Sequence, residues 1–165
     1  MRSGKKWFTL PTVPSIRIVY ATTSGHTEYV VKEIQQYAQA KWPQLSMELK
    51  RAETAASEDL SNVDLLILAT SSWNTGNVEG QLNPHMFHFL MDIAKDVKLN
   101  GQKVAAIGLG DERYFYTCKA ADHLEDYIKT HGGTLLQPTL RIINEPYGQE
   151  EKFHEWADTI LHPTL

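Results

Sequence analysis

The sequence predicts a doubly wound five-stranded parallel α/β sheet, and three observations carry that prediction. Apolar, β-branched segments alternate with helical patterns along the chain, the order expected when crossover helices cover both faces of one sheet. Residues 64–69 give a continuous apolar run, Leu65 to Ala69 following Asp64, as a strand buried on both faces requires. Loops rich in hydroxyl groups, glycine and aromatic residues follow three of the strands, where open α/β sheets bind their ligands.

Each element has its own signal. Residues 16–20 are β-branched and apolar and predict the first strand. Over residues 27–42, Val30, Val31, Ile34, Tyr37 and Ala38 recur at helical spacing. A weaker strand at 47–50 precedes the central strand at 64–69. Residues 70–83 read as a long loop leading into a helix near Pro84, since proline is tolerated in a first turn. Phe87, Leu90, Met91 and Ile93 are expected to form its buried face. Residues 103–108 predict a fourth strand, and 117–131 an amphipathic helix stopped by Gly132 and Gly133. Residues 134–143 give one interrupted strand and 149–161 a last helix, with Phe153, Trp156, Ala157 and Ile160 on one side. The crossovers should be right-handed.

Bulk properties narrow the function. A chain of 165 residues suits one domain, here expected over 15–165, with residues 1–14 as a flexible leader. Hydrophobic residues at 42% and charged residues at 22% describe a folded globular chain. The formal charge of −4, with no Lys/Arg-rich run, offers a phosphodiester backbone nothing to bind. Cys118 is the only cysteine, so neither an intrachain disulfide nor an all-cysteine metal site can form, which favours a reducing, cytoplasmic setting. The leader holds only Trp7, Phe8, Thr9 and Leu10 before Pro11, too short for a signal-peptide core, and no stretch approaches the ~20 apolar residues of a membrane span. His85 and His88 read as solvated surface rather than half a metal site, because no carboxylate or cysteine pair completes them.

The first loop runs Thr22, Thr23, Ser24, Gly25, His26, Thr27 between a strand and a helix start. A helix N-terminus leaves backbone N–H groups unpaired and carries partial positive charge, so an anion is its natural partner. The loop lacks the lysine that a nucleotide-hydrolysing loop needs, and it lacks the G-x-G-x-x-G pattern of dinucleotide binding. A held phosphomonoester fits better than a cleaved triphosphate. The second loop, Thr70 to Gly76, places Trp73 at a strand mouth, where an indole can stack on a flat ligand. The third, from Gly108 to Cys118, adds Gly110, Asp111, Arg113, Tyr114, Phe115 and Tyr116. Singly, each loop also reads as a helix cap, a packed indole or an aromatic cluster shielding the core edge. Together they describe a site for a flat aromatic phosphate ester.

These residues resemble the flavodoxin family. Thr22-x-Ser24-Gly25-x-Thr27 is similar to its phosphate loop, with Glu28 and Tyr29 continuing the likeness. Ser72 to Gly76 resembles the loop over one flavin face, and Gly110 to Cys118 the loop over the other. The resemblance spans residues 16–161, is of the short-chain type, and implies strand order 2-1-3-4-5. It implies FMN as cofactor, with Thr22, Thr23, Ser24, Gly25, His26 and Thr27 on the phosphate and Ser71 reaching it or the ribityl chain. Ser72, Trp73, Asn74, Thr75 and Gly76 would form one wall. Trp73 and Tyr114 would sandwich the ring, while Leu109, Gly110 and Asp111 meet its pyrimidine edge with Tyr116 and Cys118 nearby. It further implies a monomeric, non-enzymatic carrier shuttling single electrons between redox partner proteins, a reductase and an acceptor. The rival readings are an FMN-dependent NAD(P)H:quinone or azo-compound reductase of the same fold, and a flavin-free interaction module. Two departures stand out. His26 replaces the usual asparagine, so its protonation and the binding of a phosphate dianion should favour one another. Arg113 beside the stacking tyrosine and the modest charge set this chain apart from strongly acidic relatives.

Overall fold

The computed structural model describes residues 13–164, so the first twelve residues of the expected leader lie outside the described residues. β1 (Ser15–Tyr20) leads through the first loop into α1 (His26–Lys41), and β2 (Ser46–Arg51) follows. β3 (Leu65–Thr75) and β4 (Val78–Leu82) come next, then α2 (Pro84–His88) and a π-turn over Phe89–Ile93. β5 (Lys103–Gly110), α3 (Lys119–Thr130), β6 (Thr134–Leu135), β7 (Leu140–Ile143) and α4 (Glu150–Leu161) complete the order.

The parallel sheet runs β2-β1-β3-β5 and continues into β6, while β7 also pairs with β5. The predicted fifth strand is therefore two short segments on one edge, and the order 2-1-3-4-5 holds with β6 and β7 sharing the last place. β1 pairs with β2 from Ser15 opposite Ser46, and with β3 from Ile16 opposite Leu65. Winding thus reverses between β1 and β3, which puts the loops after those two strands side by side at the switch point.

Burial on both faces explains the apolar run in β3. Leu65, Ile67 and Ala69 join Ile16, Ile18, Ala105 and Ile107 beneath α1 and α4. Leu66 and Leu68 join Val19, Val104 and Ala106 beneath α2 and α3. Successive side chains point to opposite faces of a strand, so one sequence run feeds both cores. Each fully buried Leu or Ile contributes about 1.5–3 kcal/mol. α4 seats Phe153, Trp156, Ala157 and Ile160 as its spacing predicts. Gly132, at φ 78°, ends α3, and Gly133 N–H reaches back to the Ile128 carbonyl at 2.9 Å.

Two elements differ from expectation. Residues 70–83 are not a loop: β3 continues to Thr75 and turns back antiparallel as β4. Gly76 and Asn77, at φ 58° and 62°, supply the two left-handed residues of a tight hairpin turn. Between the pairs Trp73–Gln81 and Thr75–Val78, Asn74 faces both Glu79 and Gly80, a bulge that Gly80 accommodates at φ 76°. This hairpin raises the strand number to seven among the described residues. The helix after Pro84 buries Met86, Phe89, Leu90 and Ala94, while Phe87 is only partly covered and Met91 and Ile93 are exposed. The buried residues fall at i, i+3, i+4 and i+8, so helical spacing holds through the π-turn at Phe89, but the face turned to the sheet starts at Met86 and not at Phe87.

Candidate functional site

The first loop is built as an anion cradle. Thr22 Oγ1 accepts the Gly25 N–H at 3.0 Å, closing the turn, and Gly25 enters α1 at φ 92° with no side chain capping the helix. The opening N–H groups of α1 have no side-chain cap, and the helix dipole adds partial positive charge. Thr27 supplies the sharpest sign of a ligand: it is 1% exposed, and its Oγ1 has no hydrogen-bond partner among the described residues. A buried hydroxyl without a partner is costly, and a phosphate oxygen over the helix end would satisfy it. The cradle thus fits a phosphomonoester, with backbone and hydroxyl groups supplying the donors.

A cavity of about 1150 Å³ opens beside it. The structure brings Ser24 and His26 from the first loop to this cavity, with Ser71, Ser72, Trp73 and Asn74 from the end of β3. Leu109, Gly110, Asp111, Tyr114 and Tyr116 face it from the third loop. Thr22, Thr23, Gly25 and Thr27 belong to the first loop and the start of α1 but do not line the cavity, and Thr75 and Gly76 lie at the hairpin tip. Cys118 turns inward: it is buried, and its Sγ donates toward the Ile142 carbonyl at 3.2 Å. Burial pushes its thiol pKa up, so the thiol keeps its proton.

The walls are held by short hydrogen bonds. Trp73 Nε1 donates to Ser71 Oγ at 2.6 Å, which fixes the indole plane at the cavity edge. Ser72 Oγ accepts the Ala120 N–H at 3.1 Å and so joins β3 to the start of α3. Thr117 Oγ1 donates to the carbonyls of Asp111 at 3.0 Å and Tyr114 at 2.7 Å, folding the third loop back on itself. Gly110 admits no Cβ, because it would overlap the Cys118 backbone nitrogen. Tyr114 is 60% exposed, leaving its ring face free for a flat ligand. Arg113 grips Asp111 through Nε at 2.9 Å and Nη2 at 2.5 Å. That guanidinium, helped by the Arg113 N–H, holds the Asp111 carboxyl down at about 2.

Sequence reasoning passed over several residues that complete this site. Asn144 and Glu145 line it from the end of β7, and Asn144 Oδ1 accepts the Glu112 N–H at 3.1 Å. The signal for Asn144 is its position at the carboxyl end of the last strand, outside the loops after the first, third and fourth strands. Glu79 and Gly80 arrive through the hairpin, which no local pattern announced. Glu79, Asp111, Glu112 and Glu145 line the cavity against one guanidinium, Arg113, so it is negative away from the cradle. His85 and His88 pair with Glu53 at 3.5 Å and Asp92 at 2.8 Å, and no group of three or more metal-ligating side chains converges among the described residues.

A phosphate cradle at the switch point of a doubly wound sheet, flanked by a tryptophan and a tyrosine, defines the class of small α/β proteins that hold a phosphorylated aromatic cofactor. Comparison gives the family. The flavodoxin family model matches residues 18–156, and the chain belongs to the flavodoxin family. It is 32% identical to a protein described as probable flavodoxin 2 of Bacillus subtilis, over 83% of this chain and 87% of that one. It is 28% identical to a flavodoxin of Maridesulfovibrio salexigens, over 87% and 94%. The crystal structure of oxidised flavodoxin 2 from Bacillus cereus superposes with a TM-score of 0.78 at 28% identity, covering 90% of this chain and 99% of that one. Members of this family bind FMN and transfer electrons.

Proposed function

We propose that this chain holds one FMN in the cavity and passes single electrons between a reductase and an acceptor protein. The observation that carries the reading is the junction of cavity and cradle: the partnerless Thr27 hydroxyl and uncapped α1 N-terminus stand at the end of a cavity bounded by Trp73 and Tyr114. Thr22, Thr23, Ser24, Gly25, His26 and Thr27 hold the phosphate, and Ser71 and Ser72 stand beside it. Trp73, Asn74, Thr75 and Gly76 form one wall and Tyr114 and Tyr116 the other. Leu109, Gly110 and Asp111 meet the polar edge of the ring, with Cys118 buttressing Gly110 from behind.

The bound flavin supplies the redox chemistry. The chain's own groups orient it and set its electrostatic surroundings. Glu79, Asp111, Glu112 and Glu145 disfavour added negative charge in the cavity, which makes the site a reducing one. Arg113 offsets part of that field through its pair with Asp111. The negative formal charge of the chain and the absence, among the described residues, of any helix long and apolar enough to cross a membrane support protein partners rather than nucleic acid or lipid. A monomer in the reducing cytoplasm suits a chain whose one cysteine is buried.

The test is an absorption spectrum of the purified protein with FMN, followed by stepwise reduction. Two separate one-electron steps support the carrier. Reduction only by two electrons together, or rapid oxidation of NAD(P)H by the isolated holoprotein, would favour the reductase of the same fold. Failure to bind FMN would leave a flavin-free interaction module.

A further inference from the structure

Asn83 lies outside the cavity lining and at the far end of β4 from the hairpin turn, yet it is fully buried and uses every polar group it has. Its N–H donates to the Ser71 carbonyl at 3.1 Å and approaches Thr70 Oγ1 at 3.3 Å. Its carbonyl accepts the Phe87 N–H at 2.8 Å, and its Oδ1 accepts the His85 N–H at 3.0 Å. A backbone N–H can only donate, so that contact assigns Oδ1 to the His85 side and leaves Nδ2 facing the first loop. There Nδ2 donates to Thr23 Oγ1 at 2.9 Å, across sixty positions of sequence.

We propose that Asn83 is the positioning residue of the phosphate cradle, pinning Thr23 so that the first loop holds its turn over the N-terminus of α1. Thr23 is otherwise an exposed residue in a loop of small side chains, and this bond ties it to a rigid junction of β3, β4 and α2. The amide suits the task because it is neutral. A carboxylate at the same place would accept from Thr23 but set a buried negative charge behind a site for a dianion. The inference rests on the FMN reading and deepens it: Asn83 acts on the phosphate end of the ligand and not on the ring, so it governs preference for FMN over riboflavin.

The experiment measures dissociation constants of both flavins for the full chain and its variants. Thr23→Val removes the pin from the loop side and leaves every other Asn83 bond intact. It should weaken FMN about 3- to 10-fold, the worth of one neutral hydrogen bond, and riboflavin by less than about twofold. Thr23→Ser should restore the preference. Asn83→Ala should lower the FMN-to-riboflavin preference by the same factor, and adding it to Thr23→Val should lower the preference no further. If Asn83→Ala fails to fold, Asn83→Ser takes its place, since a serine can still accept the His85 N–H but is too short to reach Thr23, and it should lower the FMN-to-riboflavin preference by the same factor. Equal weakening of both flavins by Thr23→Val, or losses of preference that multiply in the double variant, would overturn the inference. A wild-type chain that binds neither flavin would sink the FMN reading itself. A wild-type chain that prefers FMN while Thr23→Val retains that preference would sink only the role of Asn83.

Discussion

Replacing Thr27 with valine should move two properties in opposite directions. In the free protein the Thr27 hydroxyl is buried with no partner among the described residues. Such a group costs about 1–3 kcal/mol relative to a satisfied or absent one. Valine keeps the branched shape and has nearly the same helix propensity, so the exchange removes the penalty with little else. The free protein should gain about 1 kcal/mol, or about 2–4 °C in Tm for a chain of this length. In the proposed FMN complex the same hydroxyl would donate to a phosphate oxygen in a charge-assisted bond worth about 1.5–3 kcal/mol. Its loss should weaken FMN about 10- to 150-fold. Urea unfolding of the flavin-free protein and titration of FMN by quenching of its fluorescence measure the two quantities on the same preparations. A Thr27→Val protein that is less stable without flavin, yet binds FMN as tightly as the wild type, would refute the assignment of Thr27 to the cradle.

Further expectations concern the walls and the rim. Gly80→Ala would put a Cβ 2.6 Å from Tyr116 Cβ and 3.1 Å from Lys119 Cβ at a φ of 76°, and should cost about 2–3 kcal/mol in urea unfolding; an unchanged midpoint would show that the bulge yields. Arg113→Gln should return the Asp111 carboxyl from about 2 toward the ordinary carboxylate range, read by NMR titration of its side-chain carbon. Because the folded value is depressed, the stabilisation that Asp111 contributes is present above its unfolded value and is lost as pH falls from about 3.8 through about 2. The same variant should make bound FMN harder to reduce, since a positive charge leaves the cavity; a potential that rises would contradict the rim electrostatics. At the base of α4, Tyr29 donates to Glu150 at 2.5 Å and its pKa is pushed up to about 12. Glu150→Gln should bring it back toward 10 in an ultraviolet titration. With the folded value raised, the stabilisation from this tyrosine is full below about 10 and disappears as pH rises through about 12.

Much of the architecture was legible because its signals are local. The unbroken apolar run Leu65 to Ala69, the 3.6-residue spacing of Phe153, Trp156, Ala157 and Ile160, and the glycines that end α3 each lie within one segment, and the fold places them as the sequence predicts. The three loops that contribute to the cavity are legible for the same reason: hydroxyls before a helix and aromatics after a strand stand out from composition and order. The hairpin escaped notice because Thr70 to Gly76 is hydroxyl-rich and reads as coil until pairing with β4 satisfies its backbone. After Pro84 the sequence carries two overlapping apolar stripes, one through Phe87 and Met91 and one through Met86, Phe89 and Ala94, and packing against the sheet selects the second.

Short-range pattern carried the alternation of strands and helices, the hydroxyl-rich loop before α1 and the aromatic content of the other two loops, since these follow from the period and chemistry of neighbouring residues. Long-range packing set the rest: the Thr27 hydroxyl is buried without a partner among the described residues, Cys118 turns away from the cavity and Asn144 completes the rim. It alone brought Asn83 to Thr23. Those features depend on contacts between residues remote along the chain, and short-range spacing carries no information about which remote groups a folded sheet brings within hydrogen-bonding distance.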